Sequence, residues 1–496
     1  MPGEAAKSVT RTVGILSVTK ILTWISSSAL MFVLPRYLGP EEYGKFFLGT
    51  SVVAILGVIV EFGREYSVAK AISRDQDSAA KIVVNAIGAR TLIGVLAYIG
   101  IVVFAIVARY PADVRWILCI LGIPLFWRGT SAVLWSYFQG IEMMKYPSYG
   151  GIIESFLIAL LSIIALMNGA KADVLAWILV ACGFINVVIC SAFARRLLPR
   201  RLPRIDRRES LRLLKEGVPY FLNTMFGIIS YRVDTVMLSL LTSAKVVGWY
   251  GASYRLFDVM MFIPTIFSIS VFPILARSWD DRDALARMAK KSLDFILLAG
   301  IPIAVGIFAF APQIITVIFG IEGYQPSILV MRIFGVGLLL VYVDVILGTT
   351  LLAADKQRQL SMSAFAAIFL NVGLNIWLIP YTQNRFGNGG IGAGITTVVT
   401  EFFIMILMLS MMPPRLLRDS SVVVQLKAVA AGCVMGLSIG LMNLVGFHWI
   451  VQGSVSLLVY GVMILALKAV SSSELALVQN ALPFGRRQPQ EKKVGL

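Results

Sequence analysis

The chain has 496 residues, of which 58% are hydrophobic and 14% are charged, and its mean hydropathy is +0.83. This composition excludes an ordinary soluble domain and indicates a protein that crosses a membrane many times. A single histidine and four cysteines, all in apolar runs without a CxxC spacing, argue against a zinc site or a histidine-based catalytic centre. The sequence therefore predicts no catalytic residue, no metal and no organic cofactor.

Apolar runs of membrane-spanning length, about 20 residues each, occur fourteen times along the chain. The predicted spans are 12–34, 44–61, 82–108, 114–138, 149–168, 173–194, 217–241, 247–272, 293–319, 327–352, 359–379, 390–411, 421–446 and 449–470. The amino-terminal segment has no small-residue cleavage site, so we expect the first run to remain as a transmembrane helix. The predicted fold class is an all-α polytopic membrane protein.

Positive charge is unevenly distributed about these spans. Both termini fall on one side, and that side carries 30 of the 44 Lys and Arg residues, against 7 on the other. The positive-inside rule therefore predicts that both termini are cytoplasmic. Because this topology accounts for the net charge of +17, no nucleic-acid partner is required.

The most basic segment, from Arg195 to Gly217, separates the sixth span from the seventh and contains nine Lys and Arg residues. Its first part is either a solvated linker or a lipid-contacting segment. Its second part, SLRLLKEG, is typical of a short helix that lies on anionic lipid.

An internal repeat relates the two halves on either side of this segment. YLGPEEYGKFFLGTSVV aligns with LTSAKVVGWYGASYRLF at an offset of 204, which pairs Gly44 with Gly248. Six spans precede the basic segment and six follow it, so we predict two pseudo-symmetric six-helix lobes plus two extra helices. The predicted domains are an N-terminal lobe (1–206), a C-terminal lobe (207–412), a helix pair (413–470) and a cytoplasmic tail (471–496).

Three segments carry a family resemblance. RYLGPEEYGKFFLGTS, EFGREYSVAKAIS and the stretch that begins GVPYFLNTMFGIISYRVDTVMLSLL resemble the Wzx-like polysaccharide-biosynthesis and O-antigen flippases, the polysaccharide transporter branch of the MOP exporter superfamily. The resemblance covers nearly the whole chain. It implies a V-shaped pair of lobes that moves a polyprenyl-diphosphate-linked oligosaccharide from the cytoplasmic to the periplasmic leaflet of a bacterial inner membrane. The implied partners are membrane lipid and this glycan, with Na⁺, H⁺ and other polysaccharide assembly proteins left open.

Carrying a diphosphate through the hydrocarbon core requires cations, because each unpaired charge there costs roughly 3 kcal/mol or more. Arginine can donate two parallel hydrogen bonds to a phosphate, and lysine offers a mobile point charge. The candidates for a cationic, substrate-binding cavity are Lys20, Arg128, Arg232, Arg255 and Arg332. The two-lobe repeat places Lys20 and Arg255 towards the cavity, whereas Arg90 is expected to reach the membrane interface.

Acidic residues at membrane depth are candidates for ion coupling or charge pairing. They are Glu154, Asp234, Asp258, Asp344 and Glu401. Arg255 and Asp258 are three residues apart, which predicts a pair on one helix face. Arg232 and Asp234 lie about 200° apart around a helix, so they must face different partners. The other three acids have no opposite charge nearby in sequence, which favours coupling to protons or sodium.

Three other interpretations remain. A multidrug exporter of cations, as in MATE transporters, needs an anionic, aromatic pocket, and the intramembrane cations here at least match the acids in number. A membrane polymerase or ligase acting on lipid-linked glycans is less favoured, because the predicted external loops are short. A lipid scramblase or peptidoglycan-precursor flippase shares the architecture but not the opening segment. The last two spans either form a groove for the polyprenyl tail or pack peripherally.

Overall fold

The computed structural model describes residues 2–61, 67–199, 203–320, 322–412 and 421–470, without the side chains of residues 2–29 and of some further positions. Within these ranges all regular structure is helical, and thirteen segments are long and apolar enough to cross a membrane. The all-α polytopic prediction is confirmed. The first predicted span, 12–34, lies mostly outside the residues with described side chains.

The helices follow the predicted spans closely. In chain order they are α1 Pro2–Glu61, α2 Ser67–Arg74, α3 Ala79–Val107, α4 Ala112–Gly122, α5 Leu125–Gly140, α6 Lys145–Met167, α7 Ala172–Leu197, α8 Arg207–Leu241, α9 Ala244–Met260, α10 Phe262–Arg277, α11 Arg282–Phe319, α12 Ser327–Ala353, α13 Gln357–Phe386, α14 Gly389–Met411, α15 Ser421–Leu444 and α16 Trp449–Ala466. Helix α1 is broken at Gly39 (φ 70°, ψ 169°), a backbone conformation that favours glycine, and this break separates the first two predicted spans.

One predicted span is divided where a proline removes a backbone donor. Helices α9 and α10 together form the span Ala244–Arg277. Pro264 has no N–H to offer the carbonyl of Met260, which instead accepts a hydrogen bond from the Tyr342 hydroxyl at 2.8 Å. The kink therefore leaves this carbonyl hydrogen-bonded inside the membrane.

The basic segment differs from the prediction. Helix α8 runs for 35 residues from Arg207, so SLRLLKEG is its first part and not a separate interfacial helix. The carboxylate of Asp206 caps this helix by accepting a hydrogen bond from the Arg208 backbone N–H, which lowers the pKa of Asp206. The Asp206 N–H donates to Asn85 Oδ1 at 2.6 Å, and this bond ties the start of α8 to α3.

The helices pack into two lobes. Helices α1 to α7 make the N-terminal lobe and α8 to α14 the C-terminal lobe, and α1 joins them by packing on α8 and α9. Helices α15 and α16 pack on each other and on α11. The main apolar core extends through both lobes, with separate clusters under the start of α3 and beneath the last two helices.

The two glycines paired by the repeat lie in a reciprocal contact between the lobes. A Cβ on Gly44 would lie 1.8 Å from the carbonyl oxygen of Ala244, and a Cβ on Gly248 would lie 1.8 Å from that of Pro40. Ala244 and Pro40 are themselves related by the offset of 204. Small residues four apart let two helices approach closely, so the repeat appears in the structure as a direct contact across its pseudo-two-fold axis.

The lobes touch mainly over the half of the membrane nearest Gly39. There the Tyr324 hydroxyl donates to the Pro35 carbonyl at 2.8 Å, and the hydroxyls of Tyr110 and Ser239 are 2.5 Å apart. Helix α9 is largely buried, whereas α10, which continues the same span, packs mainly on helices of its own lobe and has mostly exposed side chains. The interface is thus closed at one membrane face.

Candidate functional site

Two predicted arginines and one predicted acid meet where the lobes join. Arg232 on α8 and Arg255 on α9 place guanidinium nitrogens 3.4 and 3.9 Å from the same Asp258 oxygen. Arg255 Nε also donates a hydrogen bond to the Tyr43 hydroxyl of α1 at 3.1 Å. The pair predicted from the three-residue spacing of Arg255 and Asp258 is confirmed.

Aromatic rings support both guanidinium groups. Arg255 lies over the Phe47 ring at 5.2 Å, and Arg232 lies over the Tyr254 ring at 5.2 Å. The side chains of Arg255, Arg232 and Asp258 are 14, 21 and 23% exposed, so all three remain partly accessible. Two cations share one acid, and the cluster has an excess positive charge beside apolar ring faces. Such a cluster can bind an anion such as a phosphate.

Asp234 occupies the opposite face of α8 from Arg232, as predicted. It is buried, and it accepts hydrogen bonds from Asn375 Nδ2 at 2.6 Å, the Thr397 hydroxyl at 2.7 Å and the Tyr250 hydroxyl at 3.1 Å. These donors come from α13, α14 and α9, and all of them are neutral. Among the described residues Asp234 forms no ion pair, so neutral hydrogen-bonding groups alone hold its carboxyl group.

Two further acids meet inside the C-terminal lobe. Asp344 on α12 and Glu401 on α14 are both buried, and their carboxyl groups lie within interaction range of each other. Within the described part of the chain neither Asp344 oxygen receives an N–H or hydroxyl donor. Two buried carboxyls in contact are stable only if a proton or another cation lies between them. The pair can therefore take up one positive charge.

In the N-terminal lobe, one intramembrane charge has a charged partner and another has a neutral one. Arg128 on α5 forms an ion pair with Glu61 at the end of α1, with Nε 2.8 Å from Oε1. Glu154 on α6 accepts a hydrogen bond from Asn186 Nδ2 on α7 at 2.6 Å. Arg90 is 3% exposed, and Gly129 of α5 packs directly on it, so the expectation that it reaches the interface is wrong. Close packing of α3 against α5 covers it.

The remaining predicted cations lie elsewhere. Arg332 lines a cavity of about 700 Å³ between α11, α12 and α15, where its Nε donates to the Phe308 carbonyl at 3.2 Å. Lys20 lies outside the residues whose side chains are described. Of the four predicted cations whose side chains are described, the structure brings together Arg232 and Arg255.

The sequence analysis did not identify the residues that form ion pairs or hydrogen bonds with these charged side chains. Glu61 carried a signal, since it is an acid at the end of a predicted span. Tyr43, Asn375 and Thr397 are neutral, and no feature of the sequence distinguishes them from other polar residues in helices. No group of three or more His, Cys, Asp or Glu side chains in the described ranges is arranged to hold a metal ion.

Comparison with solved structures identifies the fold. The fold is similar to that of the lipid II flippase MurJ in an inward closed conformation, with a TM-score of 0.72 and 15% identity over 90% of this chain and 97% of that one. It is also similar to an inward-facing multidrug resistance MATE family transporter of the MOP superfamily, with a TM-score of 0.63 and 14% identity over 82% of this chain and 99% of that one. The chain has the fold of these multi-pass membrane transporters.

The family follows from the sequence match. The model for the polysaccharide biosynthesis protein family matches residues 9–279, more than half of the chain, and the protein belongs to this family. A Haloferax volcanii protein named "Probable low-salt glycan biosynthesis flippase Agl15" is 21% identical over 369 residues, which cover 74% of this chain and 75% of that one. The relatives are flippases and transporters and not enzymes, which leaves the polymerase or ligase interpretation without support.

Proposed function

We propose that this protein flips a polyprenyl-diphosphate-linked oligosaccharide from the cytoplasmic to the periplasmic leaflet of a bacterial inner membrane, for the synthesis of a surface polysaccharide. The observation that carries the proposal is the cluster of Arg232, Arg255 and Asp258, with its excess positive charge, at the junction of the lobes. Membership of the polysaccharide biosynthesis family and similarity to glycan flippases support it.

The substrate enters between the lobes and places its diphosphate on the two guanidinium groups. Each arginine can donate paired hydrogen bonds to phosphate oxygens, and Asp258 competes for the same donors. In the bound state the doubly charged diphosphate replaces Asp258 as the partner of both arginines. No cation is therefore left unpaired in the membrane. Arg128 and Lys20 are further phosphate contacts along the path, and both assignments stay predictions.

Alternating access moves the substrate across the membrane. The lobes, residues 1–206 and 207–412, rock as bodies about their interface, with residues 413–470 attached to the second. With the predicted cytoplasmic termini, the closed contact at Gly44 and Gly248 faces the periplasm. The opposite, cytoplasmic face is then the one where the lobes separate to load the substrate.

Buried acids of the C-terminal lobe couple this motion to an ion gradient. Asp344 and Glu401 take up a proton or a sodium ion, whereas Asp258 serves in charge pairing and Glu154 is held by Asn186. We expect transport in sealed vesicles to respond to a pH or sodium gradient, and Glu401→Gln to remove this response without weakening lipid binding. Wild-type transport that ignores both gradients would exclude the coupling role.

Binding of undecaprenyl diphosphate to the purified protein, measured by native mass spectrometry, tests the substrate proposal. We expect the wild type to retain this lipid, and Arg232→Ala and Arg255→Ala each to weaken binding about tenfold, the effect of losing one charge-assisted contact. Arg385→Ala, on an exposed position at the end of α13, is the matched control. Equal retention by all four proteins would contradict the role of the cluster.

A cation exporter is the second candidate, favoured by the acids Asp234, Asp344 and Glu401, which lack cationic partners within the described residues. A cationic dye distinguishes the two functions in the same experiment. If the dye binds and the diphosphate lipid does not, the protein is an exporter of cations. Dye binding should then be lost in Glu401→Gln and kept in Arg255→Ala.

A further inference from the structure

A wedge-shaped cavity lies between α11, α12 and α15. Its volume of about 700 Å³ is in the range of small-molecule sites, and most of its lining is apolar. Three glycines four residues apart on α15 trace its shape. A Cβ on Gly432 would lie 2.5 Å from Ile301 of α11, one on Gly436 would lie 3.8 Å from Val305, and one on Gly440 would meet nothing within 4 Å. The wedge therefore widens towards the end of α15.

The wide end of the wedge is polar. Arg332 lies near the start of α12, Asn443 near the end of α15 and Gln452 near the start of α16, so all three lie at one membrane face. The Arg332 guanidinium covers the Phe308 ring at 5.6 Å and forms no ion pair with any described residue. Gln313 Oε1 is buried and has no hydrogen-bond donor in the described part of the chain.

We propose that this wedge binds an acidic phospholipid of the surrounding membrane. The phosphate lies on Arg332, whose planar guanidinium suits a phosphate and has no acid partner. A head-group hydroxyl donates to the unpaired Gln313 oxygen, and an acyl chain fills the apolar wedge between Ile301 and Gly440. The arrangement of one cation at interfacial depth above an apolar slot matches the shape of a lipid.

The lipid in this wedge is a resident molecule and not the transported one. Phe334 lies about 200° around α12 from Arg332 and packs on Tyr250 and Tyr254 of α9, with ring centroids 5.3 and 5.6 Å apart. Helix α12 thus separates the wedge from the Arg255 cluster. The proposal is independent of the flippase function, and its consequence is that a lipid joins α15 and α16 to the C-terminal lobe.

Lipid retention by the purified full-length protein tests this site. Native mass spectrometry compares phosphatidylglycerol with phosphatidylcholine, which carries no net charge. We expect the wild type to prefer phosphatidylglycerol, and Arg332→Gln to weaken its binding about tenfold, because a charge-assisted contact is lost. Arg385→Gln removes an exposed arginine at the same membrane face and should leave retention unchanged. Phosphatidylglycerol should raise the unfolding temperature of the wild type and not of Arg332→Gln.

A substitution that fills the wedge tests the same proposal without removing any positively charged side chain. Gly440→Leu places a side chain in the widest part, where the backbone has room for it, and should exclude the lipid. Gly461→Leu, on an open position of α16 that does not line the cavity, is its control. Equal retention of phosphatidylglycerol by wild type, Arg332→Gln and Gly440→Leu would overturn the proposal. So would Arg332-dependent binding of undecaprenyl diphosphate with no binding of phosphatidylglycerol.

Discussion

The interface between the lobes and the interior of the C-terminal lobe both contain charges at membrane depth, but they stabilise them in opposite ways. At the interface, Arg232 and Arg255 share Asp258, and all three side chains are partly exposed. In the interior, Asp234 is buried among neutral donors, and Asp344 contacts another acid. Charges with charged, accessible partners can exchange a partner for a ligand. The charge of a buried acid can change only when the acid takes up a proton or a metal cation.

The largest effect should come from the contact that brings the lobes together. Gly44→Val places atoms on the Ala244 carbonyl and prevents the close approach of α1 and α9. We expect the translocation rate of lipid-linked glycan in vesicles to fall about a hundredfold, since overpacking reaches roughly 3 kcal/mol. Gly100→Val, on an open position of α3, should transport normally. A normal rate in Gly44→Val would show that this contact is not part of the cycle.

Removing the buried acid should mainly affect stability. Asp234→Ala leaves the donors on Tyr250, Asn375 and Thr397 without their acceptor, and each unpaired group costs ~1–3 kcal/mol. We expect the free energy of unfolding to fall by about 3 kcal/mol or more, measured as a lower unfolding temperature in detergent. Asp258→Ala should have a smaller effect, because its arginine partners are partly exposed. If both variants lost the same free energy of unfolding, the interior and the interface would not stabilise their charges in different ways.

The interface cluster should respond with opposite signs to the loss of its acid and of a cation. Asp258→Asn frees both guanidinium groups and should tighten binding of undecaprenyl diphosphate about tenfold, whereas Arg255→Ala should weaken it by a similar factor. Titration of the lipid by native mass spectrometry measures both constants. Asp344→Asn, in the interior, serves as the control and should leave the affinity unchanged. Weaker binding in Asp258→Asn would mean that the acid itself contacts the substrate.

The smallest effect concerns the cap of α8, outside both regions. Asp206→Ala removes the acceptor of the Arg208 N–H and should lower the unfolding temperature slightly. Since the pKa of Asp206 is lowered in the folded protein, its contribution is present above the ordinary aspartate pKa and is lost as the pH falls. The difference between wild type and variant should therefore shrink in acid. A difference that is independent of pH would exclude a role for the charged carboxylate.

The sequence by itself determined the helices, the internal repeat and the relative positions of charged residues on the same helix. The Gly44 and Gly248 pairing follows from the internal repeat. The Arg255 and Asp258 pair and the opposite faces of Arg232 and Asp234 follow from helical periodicity.

Only the tertiary structure decided which distant residues meet. Asp344 and Glu401 lie on different helices, Arg128 pairs with the distant Glu61, and Arg332 lies apart from the other arginines. These outcomes depend on the rotation and depth at which helices pack, and neutral donors such as Asn375 carry no sequence signal. A buried charge in a membrane must find a partner, and the packing of the helices decides which partner is within reach.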